Sequence, residues 1–184
     1  MAENEHKSVI KKILDWINPG SRQVRTEVNK LDIIKANTFD YNEWLSQMQK
    51  TFDVKLKLKL DSNFISHSDN IFEIRTPPGK LLILPPLNYS VDYGFALKLI
   101  GKDGIELVGD TRIEIIKRKT SGACVIIDDL LYYNIRYGHP TMYHTVKPLQ
   151  LESMERLQFI IYTPIDVDIG QSRLDACMTL FTSK

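Results

Sequence analysis

Apolar residues along this chain keep two different rhythms, and the change of rhythm divides it. Residues 7–17, KSVIKKILDWI, place Val9, Ile10, Ile13, Leu14 and Ile17 at helical spacing, with Lys7, Lys11, Lys12 and Asp15 largely elsewhere, and Asn18-Pro19-Gly20 stops the pattern. This predicts a short amphipathic helix. The polar, weakly patterned segment after it suits a flexible arm rather than a core element, which puts a domain boundary near residue 37. A second helix is expected over about 41–49. Asp40 suits its N-cap, Glu43 completes an acidic capping box, and Phe39 and Trp44 occupy hydrophobic-staple positions.

From there the period drops to two. FDVKLKLKLD, residues 52–61, alternates without a break, so Phe52, Val54, Leu56, Leu58 and Leu60 are expected to pack inward. Lys55, Lys57 and Lys59 then share the other face, and a register slip of one residue would bury three lysines. Further strands are expected at NIFEIRT and KLLIL around the turn Pro77-Pro78-Gly79, and at IELVG and RIEIIKRK after the turn Lys102-Asp103-Gly104. GACVIIDDLLYYNI, RLQFIIYT and LDACMTLF complete the set. SVDYGFALKLI fits both periods, since Val91, Phe95 and Leu99 share a helix face while FALKLI alternates; helix is the favoured assignment. The sum is an α+β fold: a β-rich single globular domain over residues 38–184, with an N-terminal amphipathic helix and arm over residues 1–37. Eight candidate strands are compatible with either an open sheet or a sandwich.

Composition narrows the classes. A chain of 184 residues that is 43% hydrophobic is long enough for one core. Its formal charge of +1 supplies no global field toward nucleic acid or membrane, so any such contact must come from local clustering. Cys124 and Cys177 sit inside apolar runs without metal spacing and are expected to be reduced core residues of an intracellular protein. No apolar run nears the roughly 20 residues a membrane-spanning helix needs, and the N-terminal sequence lacks a secretory signal, so a soluble or peripheral protein is expected.

Catalytic signals are missing. His6, His67, His139 and His144 are scattered, Asp128-Asp129 suits a solvated turn or helix start, and there is no nucleophile elbow, phosphate loop or dinucleotide fingerprint. The sequence therefore leads to a protein that is not an enzyme, with no cofactor and no metal. Binding surfaces remain. The first helix, through Lys7, Ile10, Lys11, Lys12, Ile13, Leu14 and Trp16, can dock on its own domain, on a partner or on an anionic membrane. Lys55, Lys57 and Lys59, and the run Lys117-Arg118-Lys119 beyond the strand RIEII, are either solvated faces or contacts for an acidic surface. Few aromatics interleave with the lysines of FDVKLKLKLD, so base stacking is not expected there.

The order of these features resembles a rhabdovirus matrix protein of the plant- or insect-virus type. The likeness rests on the amphipathic start KSVIKKIL, the arm, the strand in KTFDVKLKLKLDSNFISHSD and a fainter echo in RLQFIIYTPIDVDI. It departs in lacking a strongly basic N-terminal run, and Pro85-Pro86-Leu87-Asn88-Tyr89 has one residue too many for a Pro-Pro-x-Tyr budding motif. The resemblance implies a viral structural protein that self-associates as a homo-oligomer, binds the anionic inner surface of the membrane and condenses or bridges the viral nucleocapsid. It would reside in the virion beneath the envelope and at host-cell membranes, and would contact RNA without sequence specificity. The segments GIELVGDTRIEI and KPLQLESMERLQFIIYT are instead similar to the Asp-x-Arg and Pro-Leu-x-Leu-Glu features of plant-virus movement proteins, which bind single-stranded nucleic acid. That alternative implies jelly-roll ancestry, and a small jelly-roll capsid protein stands close to it.

Overall fold

The computed structural model describes residues 40–86, 92–107 and 109–184. The helix and arm expected over residues 1–37 lie outside the described residues. The second helix is α1, Tyr41–Thr51, slightly longer at its C-terminal end than its sequence pattern indicates. It passes without a loop into β1, Phe52–Lys59. The strands that follow are β2 Ile65–Ser68, β3 Ile71–Arg75, β4 Lys80–Leu84, β5 Gly94–Lys98, β6 Arg112–Arg118, β7 Cys124–Leu131, β8 Leu149–Leu151, β9 Arg156–Tyr162 and β10 Arg173–Ser183. Residues 41–184 form one compact unit.

Among the described residues the pairings between these strands are antiparallel, and they nest. β1 pairs with β10, β3 with β9, β4 with β8 and β6 with β7. Alternate pairs fall in opposite sheets: β1-β10-β4-β8, with β5 also on β10, and β2-β3-β9-β6-β7. A long hairpin wrapped over on itself gives this order, which is the jelly-roll arrangement. Between an open sheet and a sandwich, residues 41–184 therefore form a sandwich.

The core lies between the two sheets because each strand turns its alternate apolar residues inward. The second sheet contributes Phe72, Ile74, Ile113, Ile115, Leu157, Phe159 and Ile161; the first contributes Leu82, Leu84, Phe95, Leu97, Ala176, Met178 and Leu180. Phe95 and Phe159 meet edge to face across the gap, with ring centroids 5.1 Å apart. A smaller cluster lies on the outer face of the first sheet. There Tyr41, Trp44, Leu45 and Met48 of α1 cover Phe52, Val54, Leu81, Ile83 and Phe181. Each large side chain buried in this way contributes about 1.5–3 kcal/mol.

β1 does not keep the single inward face that its alternation predicts. Lys55 stands opposite Leu180 and Leu58 opposite Met178, so Leu56 and Lys57 together face Thr179, as in a β-bulge. Lys57 takes a left-handed backbone conformation, φ 49°, and its N–H donates to the Tyr93 hydroxyl at 3.1 Å. The extra residue exchanges the two faces of the strand. Phe52 and Val54 pack outward under α1, whereas Leu58 and Leu60 pack into the main core. Leu56, expected inside, is 46% exposed.

Other expectations also change. SVDYGFALKLI contains a strand, β5, because Phe95, Leu97 and Leu99 point into the core and β5 hydrogen-bonds to β10. An interval of four residues satisfies both the helical and the strand period, which is why the sequence pattern is ambiguous there. Gly94 adopts φ +127°, and a Cβ at this position would collide with the Tyr143 carbonyl oxygen. The described residues of IELVG form no named strand: they make the isolated bridge Ile100–Glu106 and two flanking backbone bonds, Gly101 N–H to Ile105 and Leu107 N–H to Leu99. Asp128 and Asp129 lie within β7 rather than in a turn. Cys177 is buried, but Cys124 is exposed at the start of β7, an edge strand, where Arg118 donates to its Sγ at 3.1 Å.

Candidate functional site

Among the described residues, α1 covers one part of the outer face of the first sheet. Beyond the bulge, β1, β10 and β5 floor a groove of about 510 Å³, walled on one side by residues 136–142. Ala96 and Asp175 are register partners, as are Lys59 and Cys177, so these side chains project from the same outer face. The wall is fixed by backbone bonds to β5: Phe95 and Tyr143 exchange N–H···O contacts at 3.0 and 2.8 Å, and Leu97 accepts from Tyr137 at 2.7 Å. The groove therefore belongs to the framework and is largely preformed.

Its polar groups are arranged in layers. Lys57 donates to Asp92 at 2.7 Å, and the hydrogen bond raises the pKa of its ammonium above the ordinary lysine value. Asp175 lies low in the surface, 18% exposed, between Lys59 at 3.5 Å and Arg173 at 3.2 Å, both of which are far more exposed. At this pair of bridges the carboxylate is sunk and the cations face out. The Arg173 guanidinium lies 4.3 Å from the Tyr137 ring centroid. Arg136 grips Glu106 with two bonds, 2.8 and 3.0 Å, which hold that carboxyl below the ordinary range. Tyr132 donates to the same carboxylate, and burial pushes its hydroxyl up to about 12. Burial likewise raises the Cys177 thiol, which leaves it a poor nucleophile at neutral pH.

A second cleft of about 260 Å³ adjoins the groove and shares Arg136, Tyr137, Gly138 and His139 with it. Tyr133 forms its far lip, 66% exposed and edge-on to His139 with centroids 5.5 Å apart. Together the two hollows present exposed rings next to exposed cations, an arrangement suited to binding. Among the described residues, no group of three or more His, Cys, Asp or Glu side chains could hold a metal ion.

The sequence-predicted residues fare differently. Lys7, Ile10, Lys11, Lys12, Ile13, Leu14 and Trp16 lie outside the described residues. Lys57 and Lys59 line the groove, but the bulge separates them from Lys55, which stands opposite a core-facing residue of β10. The three lysines are therefore not one row, a correction to the alternating pattern. Lys117 and Arg118 lie within β6, not beyond it. Lys117 turns away from solvent to bridge Glu155 at 2.7 Å and donate to the Gln150 carbonyl, so it offers no free charge to an acidic partner. Arg118 is occupied by Gln158, while Lys119 is exposed in the β6–β7 turn. The residues that sequence reasoning missed are Tyr133, Arg136, Tyr137 and Arg173. A signal existed in YYNIRYGH, where aromatics interleave with a cation, but nothing local indicated that this run would face Lys57 and Lys59.

Compared with known proteins, the chain matches no family model and no curated sequence.

Proposed function

We propose that this chain is a non-enzymatic viral structural protein whose jelly-roll domain self-associates and binds single-stranded nucleic acid with little sequence preference. The observation that carries the proposal is the nested strand pairing, β1·β10, β3·β9, β4·β8 and β6·β7. Viral capsid domains use this architecture. A fold alone hosts many functions, so the groove with its cations and rings supplies the chemical half of the support. Of the two resemblances the chain carries, that to movement and capsid proteins is the one that expects a jelly roll.

The matrix role is the second reading: a homo-oligomer that binds the anionic membrane surface and bridges it to the viral nucleocapsid beneath the envelope. Its support is the amphipathic pattern of residues 7–17, with Lys7, Lys11 and Lys12 beside Ile10, Ile13 and Leu14. One pair of assays separates the two. The first reading expects salt-sensitive binding of single-stranded RNA and no pelleting with anionic liposomes. Pelleting that disappears in the Lys11→Glu/Lys12→Glu variant, without RNA binding, would overturn it in favour of the matrix role.

A further inference from the structure

We infer that the groove and its adjoining cleft form the seat of one stretch of single-stranded nucleic acid, with bases stacked on Tyr133 and Tyr137 and phosphates held by Lys57 and Lys59. This rests on the proposed nucleic-acid function and assigns it a place on the molecule. Three observations converge.

The first is the rings. Tyr133 and Tyr137 are 66% and 49% exposed, although the domain has core space for aromatics such as Phe95 and Phe159. Their segment is pinned to β5 by backbone bonds, so the rings are held ready rather than loosely displayed. Arg173 already stacks on one face of Tyr137, and a base on the exposed side would extend that stack. The second is the cations. Lys57 and Lys59 keep 59% and 77% of their side-chain surface exposed despite their carboxylate partners. A surface ion pair of this kind is weak, so an ammonium can exchange its carboxylate for a phosphate at little cost. The third is proximity. The groove and the cleft are both lined by Arg136, Tyr137, Gly138 and His139, which sets Tyr133 and Lys59 on neighbouring hollows. A groove that sets exposed lysines beside stacking rings can hold single strands without reading sequence, because every base has a π-face.

Binding of the full-length chain to a fluorescent oligouridylate of roughly 16 nucleotides, the upper range of site sizes for a single domain, tests this across a salt series. Tyr133→Ala/Tyr137→Ala should weaken binding at least tenfold while leaving the salt slope unchanged, and Tyr133→Phe/Tyr137→Phe should bind like the wild type, since stacking needs the ring and not the hydroxyl. Lys57→Gln/Lys59→Gln should reduce the log–log salt slope by about 1.4, two phosphates at about 0.7 each. Binding by the wild type with no change in either the alanine or the glutamine variant would overturn the assignment and leave the nucleic-acid function standing. Loss in the phenylalanine variant equal to that in the alanine variant would overturn the stacking role, and a slope change of about 0.7 from Lys55→Gln alone, the same per lysine as in the groove, would overturn the groove in favour of diffuse charge. A wild-type protein that binds no single strand at all would overturn both the function and its location.

Discussion

The outer face of the first sheet carries two regions built from the same strands and finished in opposite ways. At one end, α1 lays Trp44 against Phe181 at 5.4 Å, and Tyr41 closes the seam by a hydrogen bond to Thr179 at 2.9 Å. At the other end no described helix covers the sheet floor, and its neighbours are cations and half-exposed tyrosines. The divide is the bulge at Leu56 and Lys57. Upstream of it, β1 sends Phe52 and Val54 to this face; downstream, it sends Lys59. One inserted residue thus converts a face that needs a cover into one that can meet a polar ligand.

The largest test of this contrast exchanges an aromatic for alanine on each side. Phe181→Ala should cost about 3–5 kcal/mol by leaving a cavity under α1, whereas Tyr137→Ala on the open side should cost under about 1 kcal/mol; urea denaturation measures both. Equal costs would mean the groove is as tightly packed as the covered half. A similar comparison separates the two kinds of lysine. Lys117→Ala abandons the buried Glu155 carboxylate and should cost about 3 kcal/mol, while Lys59→Ala, at an exposed bridge, should cost under about 1 kcal/mol. The smallest effect addresses the divide itself. Lys57→Gly should leave the melting temperature unchanged or slightly raised, because glycine accepts positive φ freely, and Lys57→Val should destabilise by about 1–2 kcal/mol. Equal tolerance of valine would mean the bulge is not held in that conformation.

These contrasts also mark how far the sequence was legible. RIEII, RLQFIIY and NIFEI each carry one apolar face through to the end, and they became β6, β9 and β3 with that face buried. The alternation in VKLKLKL is cleaner than any of these and misled more. A bulge adds a residue without breaking a period-two pattern, and Lys57 in a left-handed conformation has no local signature of the kind glycine would give. β8, three residues long, is too short for any periodicity to register. The candidate site was hidden for a different reason. Lys57, Tyr137 and Asp175 come from separate parts of the chain and meet only because β10 joins β1 on one side and β5 on the other. Lys117 shows the converse: its basic neighbours suggested a surface patch, but a central strand and a nearby glutamate drew it inward.

The position of β10 also bears on how the domain is made. It is the shared neighbour of β1, β4 and β5, yet it is synthesised after all of them. By the time Tyr162 has left the ribosome, every strand of the second sheet exists. The first sheet still lacks its middle strand and cannot join until Arg173–Ser183 emerges. A nascent chain should therefore hold one sheet complete and the other as separate pieces, with α1 lacking Phe181, the last-made of the residues it covers, until β10 emerges.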